Sequence, residues 1–365
     1  MSAARTTGEA PLTRMKLSIQ YPELLPAAAA VDYVRAADRL GYETVWVTES
    51  YGFDCMSALG HLAAVTERIK LASGIANVFS RSAALLGQSA VTIDALSGGR
   101  FLLGLGTSGR AVIEGWHGIP FERPLRRLRE SVEVIRMVVR REPLRYHGAV
   151  LDLQQGIKLL PRPLRSSIPV YLASITPGGV ELAGEIADGV LPVHLSVNHF
   201  ERLFRERLAA GAARAARDAA ACKVCAFGVP VVVVEDREAG RDLVRPRLAL
   251  YVGGMGTREH NVYKDLFVRY GFAREAERIQ ELYLSRRREE AIAAVTDEMV
   301  DEVAIIGSTE ECRQRLLAYE QAGIDEVVML LEAPGGDPDA LLHALEALAP
   351  RSVPVGPSCP AGPAA

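Results

Sequence analysis

No stretch of this chain stays apolar for the roughly 20 residues that a membrane-crossing helix needs, and its start, MSAARTTGEAPLTR, lacks the apolar core of a secretory signal. Neither sign of charge dominates: 42 Lys and Arg stand against 45 Asp and Glu, a net charge of -3 and a pI near 6.2. With no basic excess to neutralise phosphates, a nucleic-acid partner is not expected. Cysteine is scarce, five residues in 365, odd in number and widely spread. That argues against a disulfide framework and fits a reducing compartment. The seven histidines show no metal-ligand spacing, and no GxSxG or Walker-type signature occurs. The expectation is a cytoplasmic protein with neither metal, membrane nor nucleic acid as partner.

What is present is an ordinary globular balance, 49% hydrophobic and 24% charged, in a chain long enough for a large core. Residues 1–14 and 351–365 are small, polar or rich in Pro and Gly and read as disordered tails, leaving one domain over 15–350. Within it, eight short β-type runs alternate with helical patterns: Leu17–Gln20, Val45–Val47, Ile69–Ala72, Phe101–Leu103, Pro169–Ala173, Asp188–Leu191, Val229–Val234 and Glu326–Leu331. Helices are expected near Val31–Leu40 with Gly41 as cap, through Leu59–Val65, over Ala83–Leu96, from 125 to 139, from Pro177, over about Asn198–Ala221, and from Asp337 to Leu348. Two segments break the rhythm, 141–168 with a hairpin turn at Tyr146-His147-Gly148, and 236–300, mostly helical. Eight strands alternating with helices favour an α/β (β/α)8 TIM barrel with insertions; a doubly wound sheet is the main competitor.

The stretch Leu71–Gly109 carries the most chemical information. Its two strands end at Ser73-Gly74-Ile75 and at Gly104-Leu105-Gly106, where missing Cβ atoms let a flat ligand or another backbone approach. Gly104-x-Gly106-x-x-Gly109 matches GxGxxG, but it lies in the fourth unit, and Glu114-Gly115-Trp116-His117-Gly118 is expected to interrupt a helix. A strand-end turn explains it better than a dinucleotide fingerprint. Ser174-Ile175-Thr176-Pro177-Gly178-Gly179 is a better signal. Thr176 suits the N-cap, Pro177 the first helical position, and the glycines leave N–H groups open to an anion; a well-capped helix without ligand is the alternative. Glu49 and Ser50 follow the second strand on the rim where barrel enzymes keep catalytic groups, and Glu114 lies in a loop near the same mouth. Each is otherwise a surface residue. Cys222-x-x-Cys225 reads as the start of a strand with free thiols, and His194 as a structural histidine.

The segments VWVTES, LASGIANVFSRSAALLGQSAVTIDALSGGRFLLGLG, EGWHGIPFERPLRRLRE and YLASITPGGVELAGEIADGVLP resemble the bacterial luciferase-like monooxygenase superfamily. The resemblance is closest to its coenzyme F420-dependent oxidoreductase branch and spans residues 15–348. It implies a barrel with the deazaflavin cofactor at its carboxyl mouth, and a bulge with a non-prolyl cis peptide, here Gly74–Ile75, that props the ring. It further implies that Asn77 contacts the ring, that Glu49 is the acidic residue beside it, and that Thr176, Gly178 and Gly179 cradle the phosphate. Gly106 and Ser174 flank the same two places. A homodimer is also implied.

One departure bears on the reaction. Many members carry a histidine directly after the acidic residue, where it can act as general acid or base; this chain has Ser50. Oxygenation and alcohol oxidation are therefore less expected than reduction of a small organic substrate by hydride transfer, with Glu49, Ser50 or Glu114 polarising the acceptor or returning a proton. The alternatives are an FMN-dependent monooxygenase with a separate reductase, and a cofactor-binding protein without catalysis. The insertion at 236–300 is expected to cover the substrate side.

Overall fold

Strands buried on both faces, each followed by a helix, close into a parallel barrel. A computed structural model describes residues 15–350; both expected tails lie outside the described residues. The strands are β1 (Lys16–Gln20), β2 (Thr44–Val47), β3 (Lys70–Ser73), β4 (Ala76–Asn77), β5 (Phe101–Gly106), β6 (Tyr146–His147), β7 (Asp152–Leu153), β8 (Val170–Leu172), β9 (Gly189–Val190), β10 (Lys223–Val233), β11 (Ile305–Gly307) and β12 (Glu326–Leu331). Parallel pairing runs β1–β2–β3–β5–β8–β9–β10–β12 and returns to β1 through Lys16 and Glu326, so all eight expected strands form a (β/α)8 barrel. β11 pairs with the far half of β10, and β6 with β7 makes the expected hairpin outside the barrel.

The helices are α1 (Ala27–Leu40), α2 (Cys55–Val65), α3 (Ala83–Leu96), α4 (Arg110–Gly115), α5 (Pro124–Val139), α6 (Pro177–Ile186), α7 (Glu206–Arg214), α8 (Arg237–Gly254), α9 (Val262–Arg269), α10 (Ala273–Leu284), α11 (Arg288–Ala293), α12 (Asp297–Val303), α13 (Thr309–Gln321) and α14 (Pro338–Ala347). Three expectations need correction. The helix expected over Asn198–Ala221 ends at Arg214, because Asp218 caps a separate turn through Ala220 N and Arg217 turns back onto the Gly184 and Ala187 carbonyls. The strand expected from Val229 begins at Lys223; a register shift between Ala226 and Val229, with Gly228 at φ 61°, hides its continuity. The GxGxxG segment does lead into a short helix, α4, with Gly109 at its N-cap.

Side chains on the barrel strands alternate between two cores. Val45 and Val47 face the helices, while Trp46 points inward with Ala72, Leu102, Tyr171, Leu191, Cys225, Phe227 and Val328. The Trp46 ring meets Tyr171 and Phe227 edge-to-face at 5.4 and 6.0 Å. Its Nε1 donates to Glu326 Oε1 at 2.9 Å, and Cys225 Sγ donates to Oε2 at 3.4 Å. Burial pushes the Glu326 carboxyl up, against the pull of hydrogen bonds from Ser18, Trp46 and Cys225.

At the end of β3 the ladder to β5 slips by one residue: Ala72 pairs with Leu102, but Ala76 pairs with Leu105. Ser73, Gly74 and Ile75 thus face only Leu103 and Gly104, a bulge, and the Gly74–Ile75 peptide is cis. The Ser73 hydroxyl donates to Gly104 O at 2.8 Å and accepts from Gly104 N at 3.0 Å, replacing the lost ladder bonds. A Cβ on Gly104 would lie 1.9 Å from Ser73 O, and one on Gly74 would lie 2.6 Å from the Phe227 ring.

Two predictions follow from this packing. Gly104→Ala must displace backbone, so it should cost about 3 kcal/mol in urea denaturation, while Gly60→Ala, mid-helix in α2 with nothing within 4 Å, should be neutral or stabilise by about 0.5–1 kcal/mol; equal effects would contradict the bulge packing. The second concerns Glu326, whose folded-state value is raised, so its contribution is whole below the ordinary value of 4.5 and is lost as pH rises above it. Stability of the wild type relative to Glu326→Gln should therefore fall as pH rises from 4.5 in paired denaturation curves.

Candidate active site

The carboxyl ends of the barrel strands hold three left-handed non-glycine residues and a nearly buried ion pair. Ser50 (φ 43°), Ser108 (φ 55°) and His194 (φ 52°), which follow β2, β5 and β9, hold left-handed conformations that non-glycine residues rarely take. The β2 loop carries Glu49, which is 9% exposed, and both its oxygens are occupied. Arg81 Nη1 donates to Oε2 at 2.7 Å and Nη2 to Oε1 at 2.5 Å, a two-pronged pair, and Nη2 also reaches Asp54. The Glu49 hydrogen bond, opposed by burial, holds the Arg81 guanidinium above its ordinary value. Burial pushes Asp54 up, but the Ser57 bonds and Arg81 outweigh it and leave that carboxyl low. Cys55, buried beneath the pair, is pushed up by burial and by Glu49.

Asn77 sets this arrangement. Its Oδ1 accepts from Phe79 N at 3.0 Å and Ser80 N at 2.8 Å, so its carbonyl folds the loop that delivers Arg81. Gly74 and Gly106 are buried and Ile75 half-buried, with a Cβ at Gly106 placed 2.9 Å from the Ile75 side chain. Ile75 and Ala173 pack on the inner aromatic cluster, so Trp46, Tyr171 and Phe227 form a rigid floor under the mouth.

Two strands round the rim, Thr176 caps α6: its Oγ1 accepts from Gly179 N at 3.3 Å, and Ser174 Oγ accepts from Thr176 N at 3.2 Å. A Cβ at Gly179 would meet Ser174 Oγ at 2.1 Å, so Gly179 is needed for the cap itself. Gly178 is exposed, and its amide lies in the first turn where a helix leaves donors without partners. Leu125 of α5 comes nearest, 3.4 Å from where a Gly178 Cβ would be, and two residues on, Arg127 has a buried Nε with no hydrogen bond. The Arg127 guanidinium lies 4.8 Å over the Phe79 ring. An open amide at a positive helix end is a donor set that fits a phosphate or another anion.

The remaining residues are more dispersed. Ser50 is exposed beside Glu49. Glu114 is half-exposed on α4, where Oε1 accepts from Arg110 at 2.6 Å and Phe121 N at 3.2 Å. Cys222 and Cys225 are both buried but turn to different partners, the Ala183 carbonyl and Glu326; burial pushes the Cys222 thiol up to about 12. Sequence reasoning missed Arg81, whose only signal is a basic residue in the loop next to that of Glu49 and Asp54. It also gave no role to Arg247 and Tyr251, and preferred a structural reading of His194, now found wholly buried near them, to one that reaches the mouth. Segment 236–300 reaches the rim at several points: Arg247 Nε donates to Glu332 at 2.9 Å, Arg269 Nη2 to Ile175 O at 2.9 Å, and Tyr270 Oη to His194 O at 2.9 Å.

The fold is a (β/α)8 barrel, and enzymes of this fold work at the carboxyl ends of their strands. The family model for luciferase-like monooxygenases matches residues 8–326, and the chain belongs to that family. A Mycobacterium tuberculosis protein provisionally named a coenzyme F420-dependent oxidoreductase, Rv3520c, is 35% identical over 331 residues, 86% of this chain and 94% of that one. The 5,10-methylenetetrahydromethanopterin reductase of Archaeoglobus fulgidus is 30% identical, covering 86% and 92%. The solved structure of the coenzyme F420-dependent tetrahydromethanopterin reductase from Methanopyrus kandleri superposes with a TM-score of 0.80 at 24% identity, covering 94% of this chain and 99% of that one. Among the described residues no helix is long and apolar enough to cross a membrane.

The Glu49–Arg81 pair gives a direct test. Arg81→Ala strands a nearly buried carboxylate and should cost about 3 kcal/mol in denaturant unfolding; a loss under about 0.5 kcal/mol, the level of an exposed pair, would show that the pair is not closed in solution.

Proposed function

We propose that this protein is a coenzyme F420-dependent oxidoreductase that reduces a small organic substrate by hydride transfer at the carboxyl mouth of the barrel. One observation carries the reading: the glycine bulge at 73–75 and a capped, uncovered helix end at Thr176–Gly179 lie on the same rim, separated only by β5. The similarity to F420-dependent relatives supports it. Bound there, a deazaflavin supplies a carbon that gives or takes hydride and lacks the flavin nitrogen adjacent to which oxygen reacts.

The chain's own residues then divide the work. Ser174, Thr176, Gly178 and Gly179 hold the phosphate; Gly74, Ile75, Asn77 and Gly106 border the ring over the aromatic floor. Arg81 fixes Glu49, which keeps a carboxylate beside the ring. Ser50 and Glu114 are the groups free enough to meet the acceptor and return a proton, with Glu49 a third candidate. A serine at position 50 offers a hydroxyl donor without the titrating base a histidine would bring, which favours reduction over oxidation. A cytoplasmic homodimer is the assembly and location we assign.

Fluorescence titration with F420 and with FMN checks the reading. Micromolar F420 binding with no response to FMN is expected; preference for FMN would contradict it, and F420 binding without hydride exchange would leave only a carrier. Glu49→Gln and Glu114→Gln should each slow turnover about tenfold or more, and unchanged rates in both would remove their assigned roles.

A further inference from the structure

The rim formed by α8 and the loop after β9 holds polar groups with unmade hydrogen bonds. Arg247, on α8, is half-buried; its Nε is bonded to Glu332, but its two terminal nitrogens have no partner among the described residues. Tyr251, one turn on, has no hydrogen-bond partner for its phenol oxygen among the described residues. His194, 1% exposed, has both ring nitrogens without a hydrogen bond, and its ring meets Tyr251 edge-to-face at 4.6 Å. Burial lowers His194 to about 3, helped by Arg247, so its ring is neutral. Unpaired buried polar groups cost about 1–3 kcal/mol each and are rare without a reason. On this wall His194 is such a group, and Arg247 and Tyr251 beside it are partly exposed with donors free for a ligand.

The wall also limits what that ligand is. Burial pushes the Tyr251 phenol up, Arg247 pulls it down, and Tyr51 and Glu23 push it up again, so these groups lie near it. Glu23 accepts from Thr48 at 2.8 Å and touches the β2 loop at Gly52. On the wall where Tyr251, Glu23 and the β2 loop meet, two guanidiniums, Arg81 and Arg247, face four carboxylates, Glu23, Glu49, Asp54 and Glu332. An anionic substrate would meet net repulsion, whereas a neutral oxygen acceptor would not. On the two touching loops, Leu24 is 90% exposed, Tyr51 56% and Phe53 52%, an apolar rim that a polar substrate would not cover.

We propose that Arg247 and Tyr251 are the substrate-binding residues and that they hold the oxygen of an uncharged conjugated carbonyl compound whose apolar body lies on Leu24, Tyr51 and Phe53. The inference deepens the proposed function and takes its hydride source from it. The alkene carbon remote from the oxygen receives the hydride, the C=C electron pair shifts toward the oxygen, and Arg247 and Tyr251 donate hydrogen bonds to the charge that develops there. A proton returned by Ser50 or Glu114 completes the saturated ketone, and the reduced cofactor is oxidised by the same two electrons. His194 is a positioning residue that fixes the Tyr251 ring.

The test uses benzylideneacetone, a neutral enone, and cinnamate, a carboxylate on the same skeleton, each titrated calorimetrically into the purified protein, with F420 affinity measured separately by fluorescence. The ketone should bind at least tenfold more tightly than cinnamate. Arg247→Ala and Tyr251→Phe should each weaken it about tenfold or more while F420 affinity stays within twofold. In turnover, His194→Phe should raise KM for the ketone several-fold with kcat retained. Tyr251→Phe removes one oxygen and keeps the ring, so it remains informative if Arg247→Ala does not fold. Undiminished ketone binding in Tyr251→Phe, equal or tighter binding of cinnamate, or no ketone binding by the wild type would each overturn the proposal. Loss of F420 binding with ketone preference intact would instead overturn the cofactor assignment.

Discussion

The contact on which this barrel's mouth depends is the approach of Ser73 to Gly104. One residue too many on the β3 side breaks the ladder to β5, and a single hydroxyl repairs it by serving both backbone groups of Gly104. The repair works only because Gly104 has no Cβ, which would fall 1.9 Å from Ser73 O. Gly74 can then lie against Phe227 and Trp46, and Ile75 rests on the inner aromatic cluster. A bulge that would be a fault elsewhere becomes a shaped, rigid edge where a flat ligand can sit.

Below that edge the interior is dry and over-determined; above it the charges are arranged by side. Glu49 and Arg81 satisfy one another on one flank, with Asn77 folding the loop that brings them together. On the rim formed by α8 and the loop after β9, Arg247, Tyr251 and His194 are left partly unpaired, and α6 presents its open first turn. Closed polar pairs hold geometry, and open ones accept ligands. The division follows from which hydrogen bonds are already made.

Most of the architecture was legible because it is local. All eight barrel strands announce themselves as short apolar runs, and Gly41 and Thr176 cap their helices as their types suggest. What failed was also local in cause: Gly228 bends β10, so the strand start read at Cys222-x-x-Cys225 was not joined to the run from Val229. Asp218 stops a helix that its alanines would prolong. β11, α12 and α13 left no mark, since β11 is only three residues and the helices gain their definition from packing and the Ser308–Glu311 capping box. The site was half legible. Glycines and caps mark the cofactor side through backbone rules, but Arg81, Arg247 and Tyr251 matter only for the groups they face across the fold, and no spacing along the chain encodes that.

The central claim is that the bulge at Ser73–Ile75 and the first turn of α6 form one cofactor site. A crystal structure of the protein grown with F420 measures this most directly. The account predicts the deazaflavin ring against Gly74 and Ile75 with its phosphate on Gly178 and Gly179. Ordered F420 lying elsewhere, or its phosphate away from α6 with the Gly178 amide facing solvent, would contradict it.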